Sequence, residues 1–267
     1  MNTFKNLTQI LLNNKRIILL TTLIEMRKRY AGSILGAAWI FLFPALLLGM
    51  YMFIYQAVFK VKVTGIDSSF EYALFVLSGI IPYLGFSEVA NSSASVMAQN
   101  RHLITNVIVP MEIIPVRQVC MALVTQCASL CILMVLLIFA GGRLSIYWAF
   151  VPAMIVLEFL FLVGMAYILA VLGVFMRDLA QVMGIITLFL MFVSPVGYTK
   201  EMVPAALQFV LYFNPVYYLV ETFRDPLLYG TLPDLKLMSI YVFLCLGMFF
   251  VGGILFKKTL HTLSDLA

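Results

Sequence analysis

Charge is scarce in this 267-residue chain: Asp, Glu, Lys and Arg together make up only 11% of it, less than half the roughly 25% of a soluble domain. Histidine is scarcer still. His102 and His261 lie far apart, and neither has a second ligand at helical spacing, so no histidine-based metal or acid–base site is legible. The four cysteines, Cys120, Cys127, Cys131 and Cys245, all sit inside apolar runs without metal-ligand spacing and read as small buried hydrophobes. No GxxxxGK[ST] loop occurs, so the chain has no means of cradling ATP in that way. These gaps exclude most enzyme classes; no catalytic or metal-binding residue is assigned, and no cofactor is expected in this chain.

What fills the chain instead is apolar: 63% of its residues are hydrophobic and 14% are aromatic, more apolar surface than a soluble fold can hide. At about 20 residues per crossing, six spans with their connections account for the length, and both termini fall on one side. The predicted spans are 33–59, 70–98, 116–140, 146–176, 179–196 and 237–256. Pro44 offers a bend in the first. The second turns polar in its latter half, with Glu88, Asn91, Ser92, Ser93 and Ser95, and so cannot face lipid all round. The fold class is all-α membrane protein. Residues 1–32 form a cytoplasmic amphipathic interface segment, 33–258 the transmembrane domain and 259–267 a cytoplasmic tail.

The net charge of +5 does not indicate a nucleic-acid partner, because the basic residues cluster at the edges of apolar runs. With the N-terminus inside, the inner segments hold eleven Lys and Arg, among them Arg27, Lys28, Arg29 and Arg177, and the outer segments hold six. This bias predicts that both ends are cytoplasmic. Before the first span, Leu7, Ile10, Leu11, Ile17 and Leu20 alternate with Lys5, Lys15 and Arg16 in pieces too short to cross. They predict a helix lying on membrane lipid, broken near Asn13 and Asn14. Between the fifth and sixth spans, Pro204, Pro215, Pro226 and Pro233 divide about 40 residues that are neither polar enough for a free loop nor apolar for long enough to cross. Two half-length helices, 202–212 and 216–229, that dip into the outer leaflet and return fit this stretch.

Two carboxylates fall inside spans, Glu88 and Glu158, and each costs a few kcal/mol unless paired or hydrated. A proton relay needs more such groups, so Glu88 is expected at the wet end of a polar helix and Glu158 in a pair across a helix interface. Aromatic residues recur at i, i+4: Trp39 with Phe43, and Tyr51 with Tyr55 and Phe59, each set on one face of the first span. Phe189, Phe192 and Tyr198 are placed to line a neighbouring helix. Such rings suit the C–H face of a sugar, although helix packing and an interfacial belt use them too.

The residues resemble, in order and spacing along nearly the whole chain, the type 2 ABC exporter permeases of O-antigen, capsule and teichoic acid polymers, the Wzm-like group. The family's RYxxSxLGxxWxxxxP pattern is matched by Arg29, Tyr30, Ser33, Leu35, Gly36, Trp39 and Pro44. Its GxxPW is matched from Gly79 to Pro82, with Tyr83 in place of Trp. The inner connector matches through Leu103, Ile104, Val107, Pro110 and Pro115, the tight turn through Arg177 and Asp178, and the end of the fifth span through Ser194, Pro195 and Tyr198. The outer helical pair matches through Asn214, Pro215, Glu221, Phe223, Arg224 and Gly230.

The resemblance implies a bacterial inner-membrane homodimer with two copies of a separate subunit that binds ATP and Mg, passing a lipid-linked polysaccharide, O-antigen first, through a tunnel between the permeases. Tunnel aromatics would be Trp39, Phe43, Tyr51, Tyr55, Phe189, Phe192 and Tyr198. Coupling to the ATPase would fall to Arg29, Tyr30, Leu103, Ile104, Val107, Glu112, Arg177 and Asp178. The outer gate would use Asn214, Pro215, Glu221, Phe223 and Arg224. A permease for capsule, teichoic acid, a lipid or a drug shares the fold; an ion-coupled flippase or a membrane transferase is a more distant alternative.

Overall fold

The computed structural model describes residues 9, 11–54, 69–101, 110–141 and 145–266, with side chains as far as Leu260. Among the described residues every regular element is a helix, joined by turns and short extended stretches. They form α1 (Lys15–Arg29), α2 (Trp39–Phe53), α3 (Ser69–Ser93), α4 (Val96–Gln99), α5 (Ile113–Phe139), α6 (Val151–Phe175), α7 (Leu179–Val193), α8 (Gln208–Phe213), α9 (Pro215–Arg224) and α10 (Leu235–Leu266).

Five segments are long and apolar enough to cross a membrane: Gly36–Phe53, Ser69–Ser93, Ile113–Phe139, Ile146–Phe175 and Leu235–Leu260. The chain is therefore a multi-pass integral membrane protein. The fifth expected span, 179–196, is α7, whose 15 residues measure about 22 Å, short of a hydrocarbon core of about 30 Å. It stops at Val193 and not at 196, because Ser194 turns extended ahead of Pro195. The first span begins with a 3-10 turn at Gly36–Ala38, and the last part of its expected range, including Tyr55 and Phe59, lies outside the described residues. α5 starts three residues earlier than the expected 116, since Pro115 falls in the first turn, where a missing N–H leaves no bond unmade.

Two ends of the bundle are distinguished by contacts. At one, Arg29 of α1 meets Glu88 late in α3, and Glu25 of α1 lies 3.7 Å from Arg117 early in α5. There too the Tyr167 hydroxyl, late in α6, donates to the Glu112 carbonyl, and its ring meets that of Phe256, late in α10, tilted at 4.7 Å between centroids. α1 and the C-terminal part of α10 thus share an end. At the other end α9 packs on the first half of α3, and Trp148, just before α6, donates to Leu227 O.

α1 follows a turn at Asn14, where the sequence places its break. It buries Ile18, Thr22 and Met26, one stripe at i, i+4, i+8, against α5. Leu19, Leu20, Leu23 and Ile24 remain exposed. α6 and α10 form the most extensive helix pair. Their backbones close to contact at Gly164: a Cβ there would strike the Met248 carbonyl, and one on Gly252 would strike the Gly164 carbonyl. Small residues that admit a neighbouring backbone are the usual means of packing helices in lipid.

The half-helices expected over 202–212 and 216–229 are less regular. Pro204 splits the first into 3-10 turns at Lys200–Met202 and Ala205–Leu207, so α8 begins only at Gln208. α9 runs from Pro215 to Arg224 and ends in a π turn over Asp225–Tyr229, with Pro226 inside it.

Candidate functional site: a polar cleft, a helical pair and an exposed aromatic face

α8 and α9 are joined and anchored by Asn214. Its Oδ1 accepts from Val216 N at 3.0 Å, which caps α9, and its Nδ2 donates to Ser194 Oγ at 2.8 Å, which ties the pair to the end of α7. Pro215 occupies the first turn of α9, where its fixed φ suits a helix start. Phe223 is fully buried. Arg224 is 1% exposed. It donates to Glu221 Oε1 at 2.7 Å, to Pro195 O at 2.8 Å and to Val196 O at 3.0 Å. Its guanidinium also lies 3.9 Å from the Phe75 ring centroid, so of the five expected gate residues Glu221 and Arg224 pair at the C-terminal end of α9, while Asn214 and Pro215 lie at its start. Beside them, Lys200 sits 5.1 Å over the Tyr212 ring. Its hydrogen bond to the Tyr212 hydroxyl holds the ammonium above the ordinary lysine pKa.

The aromatic residues of α2 and α7 are largely uncovered. Phe43 is exposed, while Tyr51 is half-buried against the core. Trp39, also half-buried, donates from Nε1 to Ser33 Oγ at 2.7 Å. Phe189 and Phe192 are 64% and 70% exposed, and the Tyr198 hydroxyl returns to Val193 O at 2.6 Å. Among the described residues no ring contact joins the α2 aromatics to Phe189 or Phe192.

The proposed coupling residues are spread along one end. Arg29 pairs with Glu88 at 2.7 Å. Tyr30 closes α1, with its N–H reaching Arg27 O and Lys28 O. Glu112 is the buried cap residue of α5, and Arg177 and Asp178 form an exposed turn between α6 and α7. Leu103, Ile104 and Val107 lie outside the described residues.

Glu158 of α6 is fully buried and accepts from Gln126 Nε2 of α5 at 2.6 Å, the cross-interface pair expected for it. Gln126 was not singled out from the sequence. The signal was present, because Thr125, Gln126 and Ser129 interrupt an apolar span at helical spacing. These three residues face Ser87, Glu88 and Asn91 of α3 across a cavity of about 230 Å³ that also touches Phe43 of α2. Gly85 forms part of its wall, and a Cβ there would collide with Gln126 Oε1.

A helical membrane bundle with a polar cleft and exposed aromatic faces defines a transport-type integral membrane protein. The chain belongs to the ABC-2 type transporter family, whose model matches residues 18–228; this is a family of transporter permeases, not enzymes. It is 24% identical over 243 residues to the O-antigen export system permease protein RfbA of Klebsiella pneumoniae, covering 91% of each chain. A protein of the same name from Myxococcus xanthus is 28% identical over 212 residues, 79% of each chain. The polysialic acid transport protein KpsM of Escherichia coli is 24% identical over 240 residues, 87% of this chain and 89% of its own.

Proposed function

We propose that this chain is the membrane-spanning permease subunit of an ATP-driven exporter of lipid-linked polysaccharide, with O-antigen as the first cargo, in a bacterial inner membrane. The observation that carries the reading is the likeness to O-antigen export permeases along nine-tenths of the chain. In this reading α7 and the extended residues after it complete a sixth crossing, and both termini are cytoplasmic. Two copies form a homodimer, and two copies of a separate subunit bind ATP and Mg. No catalytic residue is assigned to this chain.

The aromatic faces of α2 and α7 suit the lining of a tunnel between two copies, because they are apolar, exposed and carried by the least covered crossings. Weak stacking of rings on sugars allows a polymer to slide. Asn214, Pro215, Glu221, Phe223 and Arg224 hold the outer gate. Arg29, Tyr30, Arg177, Asp178, Glu112 and the segment with Leu103, Ile104 and Val107 receive the motion of the ATPase. A capsular polymer is the second reading, favoured by the likeness to the polysialic acid transport protein.

Co-expression with the neighbouring ATP-binding protein, purification and an ATPase assay with lipid-linked polysaccharide test the proposal. A two-plus-two complex whose hydrolysis rises with cargo is the expected result. A chain that purifies alone and leaves hydrolysis unchanged would overturn it.

A further inference from the structure

The cavity at Gln126 is not isolated. A second, wider cavity of about 650 Å³ opens beside α1, lined among others by Lys28, Arg29, Ser95, Gln99 and Gln118. Glu88 and Asn91 border both cavities. Together they make one cleft between α2, α3 and α5 that begins at the α1 end and runs past Gln126 as far as Ser129. Gln126 marks its depth. That residue lies 13 positions into α5 from Ile113, about 20 Å along the helix and so near its middle.

Polar side chains at such depth persist where they line a wet cavity or meet a polar ligand. Here the donors are mostly spent on the backbone. Ser129 Oγ donates to Thr125 O at 3.0 Å, Thr125 Oγ1 to Met121 O at 3.3 Å and Asn91 Nδ2 to Ser87 O at 2.8 Å. Gln126 donates its amide to Glu158, while its Oε1, on a side chain 3% exposed, has no hydrogen-bond partner. Gln126 Oε1 is turned onto Gly85, and the wall presents the hydroxyls of Ser87, Thr125 and Ser129, the Asn91 amide and the Glu88 carboxylate among the apolar Leu47, Ile81, Leu84 and Ala122. Oxygen acceptors set in an otherwise apolar wall suit a ligand that brings O–H donors on a C–H frame. The cations sit at the mouth, where Lys28 pairs with Glu25 and Arg29 with Glu88.

One side of the inner cavity is Phe43, an exposed residue of the least buried crossing. The cleft therefore reaches the apolar flank of α2. We propose that this intramembrane cleft is a head-group site within a single protomer. It takes the uncharged, polyhydroxylated first sugar of a lipid-linked saccharide, while the lipid chain stays alongside α2. About 230 Å³ holds about eight waters at the share each has in the liquid, room enough for one sugar ring in their place. This inference rests on the exporter reading for its ligand class, and it differs in placing a sugar inside one copy, apart from any tunnel between two.

The test is photolabelling of the full chain in nanodiscs with a polyprenyl diphosphate-linked disaccharide bearing a diazirine on its first sugar. Labels are expected on the peptides around Ser87–Asn91 and Thr125–Ser129, and Ser129→Leu, which fills the cleft, should lower them at least fivefold. Thr125→Val, nearly isosteric, should lower them about twofold and serves where the larger side chain disturbs folding. Labels confined to the exposed faces of α2 and α7, or cleft labels undiminished in both variants, would overturn the inference. The exporter reading is scored separately by cargo-stimulated hydrolysis of the wild-type complex, so either conclusion can fall without the other.

Discussion

Arg224 of α9 and Val196, beyond the end of α7, are 28 residues apart in sequence and joined at 3.0 Å between guanidinium and carbonyl. The same side chain holds Pro195 O, pairs with Glu221 and covers Phe75. One cation thereby satisfies carbonyls that no helix can reach.

Arg224→Ala strands a partly buried carboxylate and two buried carbonyls, a loss on the order of 3 kcal/mol. Arg224→Lys recovers little of it, because a single ammonium lacks the planar fork that serves three acceptors at once. Thermal unfolding of the detergent-purified chain should show both variants well below wild type. An Arg224→Lys protein as stable as wild type would contradict this account.

The α6 to α10 crossing predicts a contrast between glycines. Gly164→Ala must push the Met248 backbone away, whereas Gly247 has open space where its Cβ would be. Gly164→Ala should destabilise by about 1–3 kcal/mol, as overpacking does, and Gly247→Ala should be neutral or slightly stabilising. Size-exclusion profiles after graded heating distinguish the two.

Glu158→Gln keeps the shape of the Gln126 contact without the charge, and should support export with the proton gradient collapsed as long as ATP is present. Glu158→Ala leaves the Gln126 amide without its partner and should cost about 1–3 kcal/mol. If Glu158→Gln abolishes transport in a stably folded protein, ion coupling returns as the mechanism.

The Arg29–Glu88 bridge, half-exposed on the arginine side, should contribute under about 1 kcal/mol to stability and weaken with salt. Its larger effect is expected on coupling: Arg29→Glu and Glu88→Arg each lower cargo-stimulated hydrolysis, and the charge-swapped double variant regains it. A double-mutant cycle reads both quantities from the same preparations.

Much of this was legible along the chain. Apolar runs placed the five long crossings, Asn14 marked the break before α1, and prolines foretold the divided segment between α7 and α10. Boundaries slipped where proline acts differently by position: Pro115 is tolerated in the first turn of α5, whereas Pro204 delays α8. Glu221 and Arg224 stood out in the sequence, but the tie from Arg224 to Val196 and Pro195 did not, because those carbonyls are 28 and 29 residues away. Gln126 is the clearest omission. A lone amide in an apolar run reads as an exception until Glu158, 32 residues on, is seen to face it. The α2 and α7 aromatics show the opposite limit: periodicity gives the face a ring occupies and not what that face meets.

The contact of α10 with Gly164, described above as packing, also divides that helix mechanically. From Gly252 the rod extends 17 residues back to Leu235 and 14 residues on to Leu266, arms of about 26 and 21 Å. Because α10 lies along α6 more extensively than along any other helix, a displacement of either arm is shared with α6.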